Sequence, residues 1–172
     1  LREAGAHQEV FSLLSDSLKE LPDYQELLYD RAMAAEKIGK TDILEKDLRK
    51  LIQLNPSHAH AYNALGYSFA DHGNRLPEAL ELIEKAIRLS PEDPYIIDSL
   101  GWVHYRMGNI DKGVDYLKQA FIIKPDPEIA AHLGEVLWMQ GTKKEAERIW
   151  RSTIKNFPDN EVLRNTMKKF MP

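Results

Sequence analysis

The chain has 172 residues, of which 43% are apolar and 29% charged, and its formal net charge is −4. This is the composition of a folded chain rather than a disordered one, and an acidic balance argues against affinity for a nucleic-acid backbone. No apolar run approaches the roughly 18 residues of a membrane span, no segment has the order of a signal peptide, and the absence of cysteine removes disulfides, thiolate metal sites and cysteine nucleophiles without choosing a compartment.

Two residue types punctuate the chain at nearly constant distance. Gly5, Gly39, Gly73, Gly108 and Gly141 are 34, 34, 35 and 33 residues apart, and they alternate with Pro22, Pro56, Pro91, Pro125 and Pro158, spaced 34, 35, 34 and 33. Such a period describes a linear stack of similar units. Between each Pro and the next Gly, apolar residues recur at three and four, as in Ile97, Leu100, Gly101 and His104, which marks one face of a first helix. Between Gly and the next Pro lies a second helix, for example Val114, Leu117, Ala120 and Phe121. Gly suits the left-handed residue that ends a helix, and Pro ends the second helix because it lacks the backbone donor. The fold class is therefore all-α: a solenoid of antiparallel helix pairs, about ten helices in all.

In chain order, a helix over 6–20 belongs to an opening half unit, 1–22, whose first helix is missing, so the sequence reads as part of something longer. Helices over 24–38 and 41–54 form a unit at 25–58, with Asp23 and Glu26 at the spacing of an acidic cap. Arg31-Ala32, Leu44 and Leu51 stand there where other units have Leu-Gly and small residues, so its helices are expected to sit farther apart. The next unit, 59–93, has helices over 58–72 and 76–89 with one residue inserted near Arg75-Leu76-Pro77. The unit 94–126, with helices over 94–107 and 110–123, opens on Asp93-Pro94, and the unit 127–160, with helices over 127–140 and 143–156, opens on Asp126-Pro127. Each places a cap acceptor before a proline at the first helical position. Thr142 and Glu145 have capping-box spacing. Residues 160–170, with Leu163, Met167 and Phe170 on one side, read as a capping helix. Lys143, Lys144, Arg148, Arg151 and Lys155 form a basic face in a C-terminal stretch of 8 basic and 4 acidic residues after Gln140, against 15 basic and 23 acidic before it. We read that face as solvated.

Leu65-Gly66 with Gly73, Ala79, Ala86 and Pro91, Leu100-Gly101 with Gly108, Ala120 and Pro125, and Leu133-Gly134 with Gly141, Ala146 and Pro158 resemble tetratricopeptide repeats across essentially the whole chain. The resemblance implies a right-handed superhelix whose first helices line a concave side that contacts ligands. The strings Tyr62-Asn63-Ala64-Leu65-Gly66-Tyr67, Asp98-Ser99-Leu100-Gly101-Trp102 and Ala131-His132-Leu133-Gly134-Glu135-Val136-Leu137-Trp138 are similar, more narrowly, to the C-terminal repeats of proteobacterial exported proteins of this kind. Many of those are outer-membrane lipoproteins, and some are adaptors for periplasmic proteases. The narrower resemblance implies a bacterial protein at the periplasm or outer membrane, with the cytoplasm left open.

Once Ile97, Leu100, Gly101 and His104 are assigned to the core, a second stripe remains: Asp98, Trp102, Tyr105 and Arg106. Equivalent offsets give Tyr29 and Met33, Asn63 and Tyr67, then Glu135, Trp138 and Met139. Rings interspersed with polar groups suit an extended or helical peptide, and these aromatics read as surplus to packing. The family's grip on a C-terminal carboxylate is not expected, since Tyr29, Met33, Asn63 and Arg106 hold its positions and only Asn63 and Arg106 are of suitable type. His104 reads as a buried, hydrogen-bonded side chain. His58 with His60 and His132 with Glu135 lack the further ligands of a metal site, and no phosphate loop, nucleophile elbow or dinucleotide fingerprint occurs. The expected function is a non-enzymatic scaffold, without cofactor or metal, that binds a protein or peptide partner on the concave face. The alternative is a regulatory or substrate-recruiting segment of a larger enzyme or protease-adaptor system. Self-association through the open N-terminal end is a third possibility.

Overall fold

A computed structural model describes residues 2–172, which form ten helices and no strand. They are α1 (Arg2–Glu20), α2 (Gln25–Lys37), α3 (Thr41–Leu54), α4 (Ala59–Asp71), α5 (Leu76–Leu89), α6 (Pro94–Arg106), α7 (Ile110–Ile123), α8 (Pro127–Gln140), α9 (Lys143–Asn156) and α10 (Glu161–Phe170). Nine of the predicted helices are found within a residue or so of their expected ends. The exception is α1, which begins at Arg2, so Gly5 lies inside a helix rather than in a turn. Gly39, Gly73, Gly108 and Gly141 do adopt the left-handed backbone, with φ between 69° and 99°. No helix among the described residues is long and apolar enough to cross a membrane.

The caps divide by what competes for each side chain. Asp93 accepts from the Tyr95 and Ile96 amides, and Asp126 from the Glu128 amide, each ahead of a proline in the first turn. Thr142 makes no side-chain cap and its hydroxyl turns to Gln140. The expected acidic cap at Asp23 also fails, because α2 starts at Gln25 and Asp23 pairs with Lys50 at 2.7 Å. His58, by contrast, caps α4 through Nδ1, which accepts from the Ala61 amide at 3.1 Å. The residue inserted after Gly73 is absorbed by Arg75, which takes φ 49° and lays its guanidinium over the Phe69 ring at 4.2 Å.

Small residues set the contact between paired helices. A Cβ on Gly66 would meet Ile83 at 2.7 Å, one on Gly101 would meet Leu117 at 2.7 Å, and one on Gly134 would run into the Trp150 indole. In the unit without Leu-Gly, the Arg31 guanidinium reaches Asp47 with two hydrogen bonds of 2.7 Å, and Asp47 is only 1% exposed. Between units, α4 packs on α6 and α6 on α8 more closely than any two successive second helices pack on each other. Shorter spacing along the first-helix side than along the second-helix side curves the array, with α4, α6 and α8 on its inner face.

Candidate functional site

The inner face is built by α2, α4, α6 and α8, each contributing the side chains one turn apart that its core stripe leaves over. At its middle they do not form an empty trough. His132 of α8 donates from Nδ1 to the Asp98 carboxylate of α6, at 2.8 and 3.1 Å to its two oxygens. The Nε2 of the same ring lies 3.1 Å from the Tyr67 hydroxyl of α4. Trp102 stacks on the imidazole, with ring centres 4.4 Å apart. Three consecutive units are thus tied through one ring, and Tyr67 and His132 belong to units that are not neighbours.

The electrostatics follow from that enclosure. Burial by itself lowers the His132 pKa, but the Asp98 charge and hydrogen bond, with Asp71 and Glu135 farther off, outweigh it and raise the value above the ordinary 6.5. Burial pushes the Tyr67 phenol well above 10, and Asp71 and Asp98 add to the effect. A phenol held neutral in this way acts at ordinary pH as a hydrogen-bonding group rather than as an anion. The Asp-His-Tyr sequence of contacts joins α4, α6 and α8 through their side chains.

Around the tie, the predicted stripe residues separate into buried and accessible sets. Asp98 and Trp102 are 6% and 5% exposed, so the expectation that the stripe is surplus to packing does not hold for them: the close approach of α6 and α8 encloses both. Tyr67 is committed to His132. Tyr29 is half-buried and stacks on His58 with centres 5.6 Å apart. Met33 is half-buried and lines a cleft of about 360 Å³ with Val10 and Leu14 of α1. Asn63 is half-buried, its Oδ1 without a partner among the described residues. Tyr105 is half-buried and packs on Trp102, and its phenol pKa is raised by burial and then by the Glu135 charge. Arg106 donates to the Asp71 carbonyl at 2.7 Å and so closes over the preceding turn. Glu135 accepts from Lys169 at 3.3 Å, and Trp138 stacks on Trp150 and meets Phe170 of α10.

Sequence reasoning weighed His132 only as a metal ligand and missed it as the hub of the inner face. Its spacing of three from Glu135 was the signal available, because it places both on the same side of α8. The described residues contain no group of three or more His, Asp or Glu side chains able to hold a metal ion. His104 is buried, as expected, but its Nδ1 has no hydrogen-bond partner among the described residues, and its ring instead stacks on Tyr116 at 5.6 Å.

A sequence profile of the tetratricopeptide repeat matches residues 29–94 and 99–161. The chain is 47% identical over 162 residues to the TPR repeat-containing protein PA4667 of Pseudomonas aeruginosa, covering 94% of this chain and 28% of that protein. It is 27% identical over 158 residues to the protein O-mannosyl-transferase TMTC1 of Mus musculus, covering 86% of this chain and 16% of that one. The chain thus spans less than a third of the length of either relative. Among solved structures, the thermophilic TPR protein TTC0263 of Thermus thermophilus superposes with a TM-score of 0.87 over 99% of this chain and 93% of that one, at 24% identity.

Proposed function

The chain belongs to the tetratricopeptide repeat family, an all-α right-handed solenoid that generally serves as a protein-interaction scaffold, and we propose that it holds a partner peptide or protein segment on its inner face. The observation that carries this reading is a line of half-buried rings and polar groups on successive first helices. Tyr29, Met33 and Asn63 lie toward the N-terminal end, and Tyr105, Arg106, Glu135 and Trp138 toward the C-terminal end. Half-exposed aromatic side chains anchored from below offer contact area at low entropic cost, which is what a binding surface needs. Tyr67, Asp98 and Trp102 act on this reading as the floor that spaces the two stretches. The unit boundaries 25–58, 59–93, 94–126 and 127–160 then mark successive contact registers for the partner.

Affinity capture from a bacterial extract tests the proposal, with wild type compared against a Tyr29→Ala, Tyr105→Ala, Glu135→Lys triple variant. Loss of captured proteins with circular dichroism unchanged is the expected result. Equal capture by both would move the interface off the inner face.

The second reading, a recruiting segment of a larger enzyme, is favoured by one observation: a relative named for glycosyl transfer carries a matching stretch as a small part of its length. A catalytic domain elsewhere in the same gene would support it.

A further inference from the structure

The outer face carries an apolar cleft between α7 and α9 that packing does not require. Two hollows of about 280 and 420 Å³ share Phe121 and Ser152 and so form one groove. Its floor is Leu133 of α8 and its sides are Phe121, Ile122 and Ile149, with Phe157 at one end. Ile122 is 82% exposed. Counting back three residues from each unit's closing proline, the other units place Gln53, Arg88 and Lys155 where this one has Ile122. An isoleucine at a position otherwise polar, on the outermost line of a second helix, has no structural use in the isolated chain.

The rim carries charge of one predominant sign. Arg148 and Lys118 flank the cleft, with Lys118 paired to Glu145 at 3.1 Å, and Lys144, Arg151 and Lys155 continue the basic face of α9. Two units earlier, the hollow along α5 places Glu81 where Arg148 stands in α9, and its lining mixes Glu78, Glu81 and Glu84 with Lys85 and Arg88. Adding units at either end of the array would not cover the cleft, because it opens sideways between two second helices. Its walls are helices whose main-chain groups are already paired, so a strand could not add to them by backbone hydrogen bonds. The segment from Lys118 to Pro125 is about 10 Å long at helical rise, which matches about two turns of a guest helix.

We propose that this groove is a second docking site, independent of the inner face, for an acidic amphipathic helix of a partner protein. The guest's apolar side chains would sit against Phe121, Ile122 and Ile149, and its carboxylates would meet Arg148 and the α9 lysines. The probe is a fluorescein-labelled fourteen-residue peptide with leucine at helical spacing and glutamate elsewhere, titrated by anisotropy against the whole chain, beside a counterpart with lysine for glutamate. The glutamate peptide is expected to bind saturably and more weakly in high salt. Ile122→Glu and Arg148→Glu, both at exposed positions, should each weaken it by about tenfold, while Arg88→Glu on the preceding unit should not. Absence of saturable binding, equal binding of the lysine peptide, or binding indifferent to Ile122→Glu overturns the proposal. So does binding only to phosphatidylglycerol vesicles, which would make the patch a membrane contact. Sedimentation velocity supplies the last arm: a concentration-dependent dimer abolished by Ile122→Glu would assign the groove to a second copy and also overturn it.

Discussion

His132 is the residue on which the inner face turns, and its titration gives that role a sign. Its folded pKa lies above the unfolded value, so its contribution is fully present below about pH 6.5 and is lost as pH rises through the folded pKa. An Asp98→Asn variant should therefore fall furthest behind wild type near pH 6, by roughly 1–3 kcal/mol, and recover part of the gap at pH 9. Urea unfolding at the two values measures this, and an equal gap at both would refute it. His104 works in the opposite direction. Burial, with Lys112 near, lowers its pKa, so its contribution is present above the unfolded value and declines as pH falls. Gly134 is the sharpest steric case, since a methyl there meets the rigid Trp150 indole, which donates to the Ala130 carbonyl at 3.1 Å. Gly134→Ala and Gly101→Leu should each cost about 1–3 kcal/mol, read as a lower Tm. The need for small residues at these positions was legible from Leu100-Gly101 and Leu133-Gly134. The Arg31–Asp47 pair was not, because one period says nothing about which polar partner a departing unit will find across its helix pair.

At the scale of the helix, the ends after α1 were readable to about a residue, but the cap hydrogen bonds were readable only where a proline follows the acceptor. Proline fixes the first turn whatever surrounds it, so Asp93 and Asp126 had little choice but to cap. Asp23 and Thr142 had alternatives in Lys50 and Gln140, and took them. The C-terminal helix α10 was anticipated as a cover, and the structure supplies the contacts: Leu163 is fully buried, and Phe170 lies 5.7 Å from the Trp150 ring centre and 5.8 Å from that of Trp138. Because Phe170 is only partly buried, Phe170→Ala should cost about 2 kcal/mol, below the usual range for a core phenylalanine. Tryptophan fluorescence should shift to the red in the same variant, and an unchanged emission maximum would show that α10 does not shield the indoles.

Over the whole molecule, the stack followed from the repeat period and its curvature from the family resemblance, whereas the filling of the inner face followed from neither. Helical spacing identifies which side chains point inward, but not how near the next first helix will come, and that distance decides whether Trp102 is a contact surface or a floor. A stack in which every unit touches only its neighbours loses protection progressively from its ends. The tie from α4 through α6 to α8 adds a link that skips a unit. Amide hydrogen exchange should accordingly find α4, α6 and α8 opening together, and Tyr67→Phe should lower the protection shared by α4 and α8 while the direct α4–α6 and α6–α8 packing persists. Exchange patterns identical in the two proteins would show that the Tyr67 hydroxyl carries no coupling.

The same ring, clasped from two sides, gives the molecule a mechanical character that a row of identical hairpins would lack. Stretched between its termini, such a row behaves as a spring with evenly compliant coils, each giving way in turn. Here the last three coils are welded, so under force the N-terminal coils should yield first and the welded ones should let go in one long step, which an optical trap would record as a single large extension.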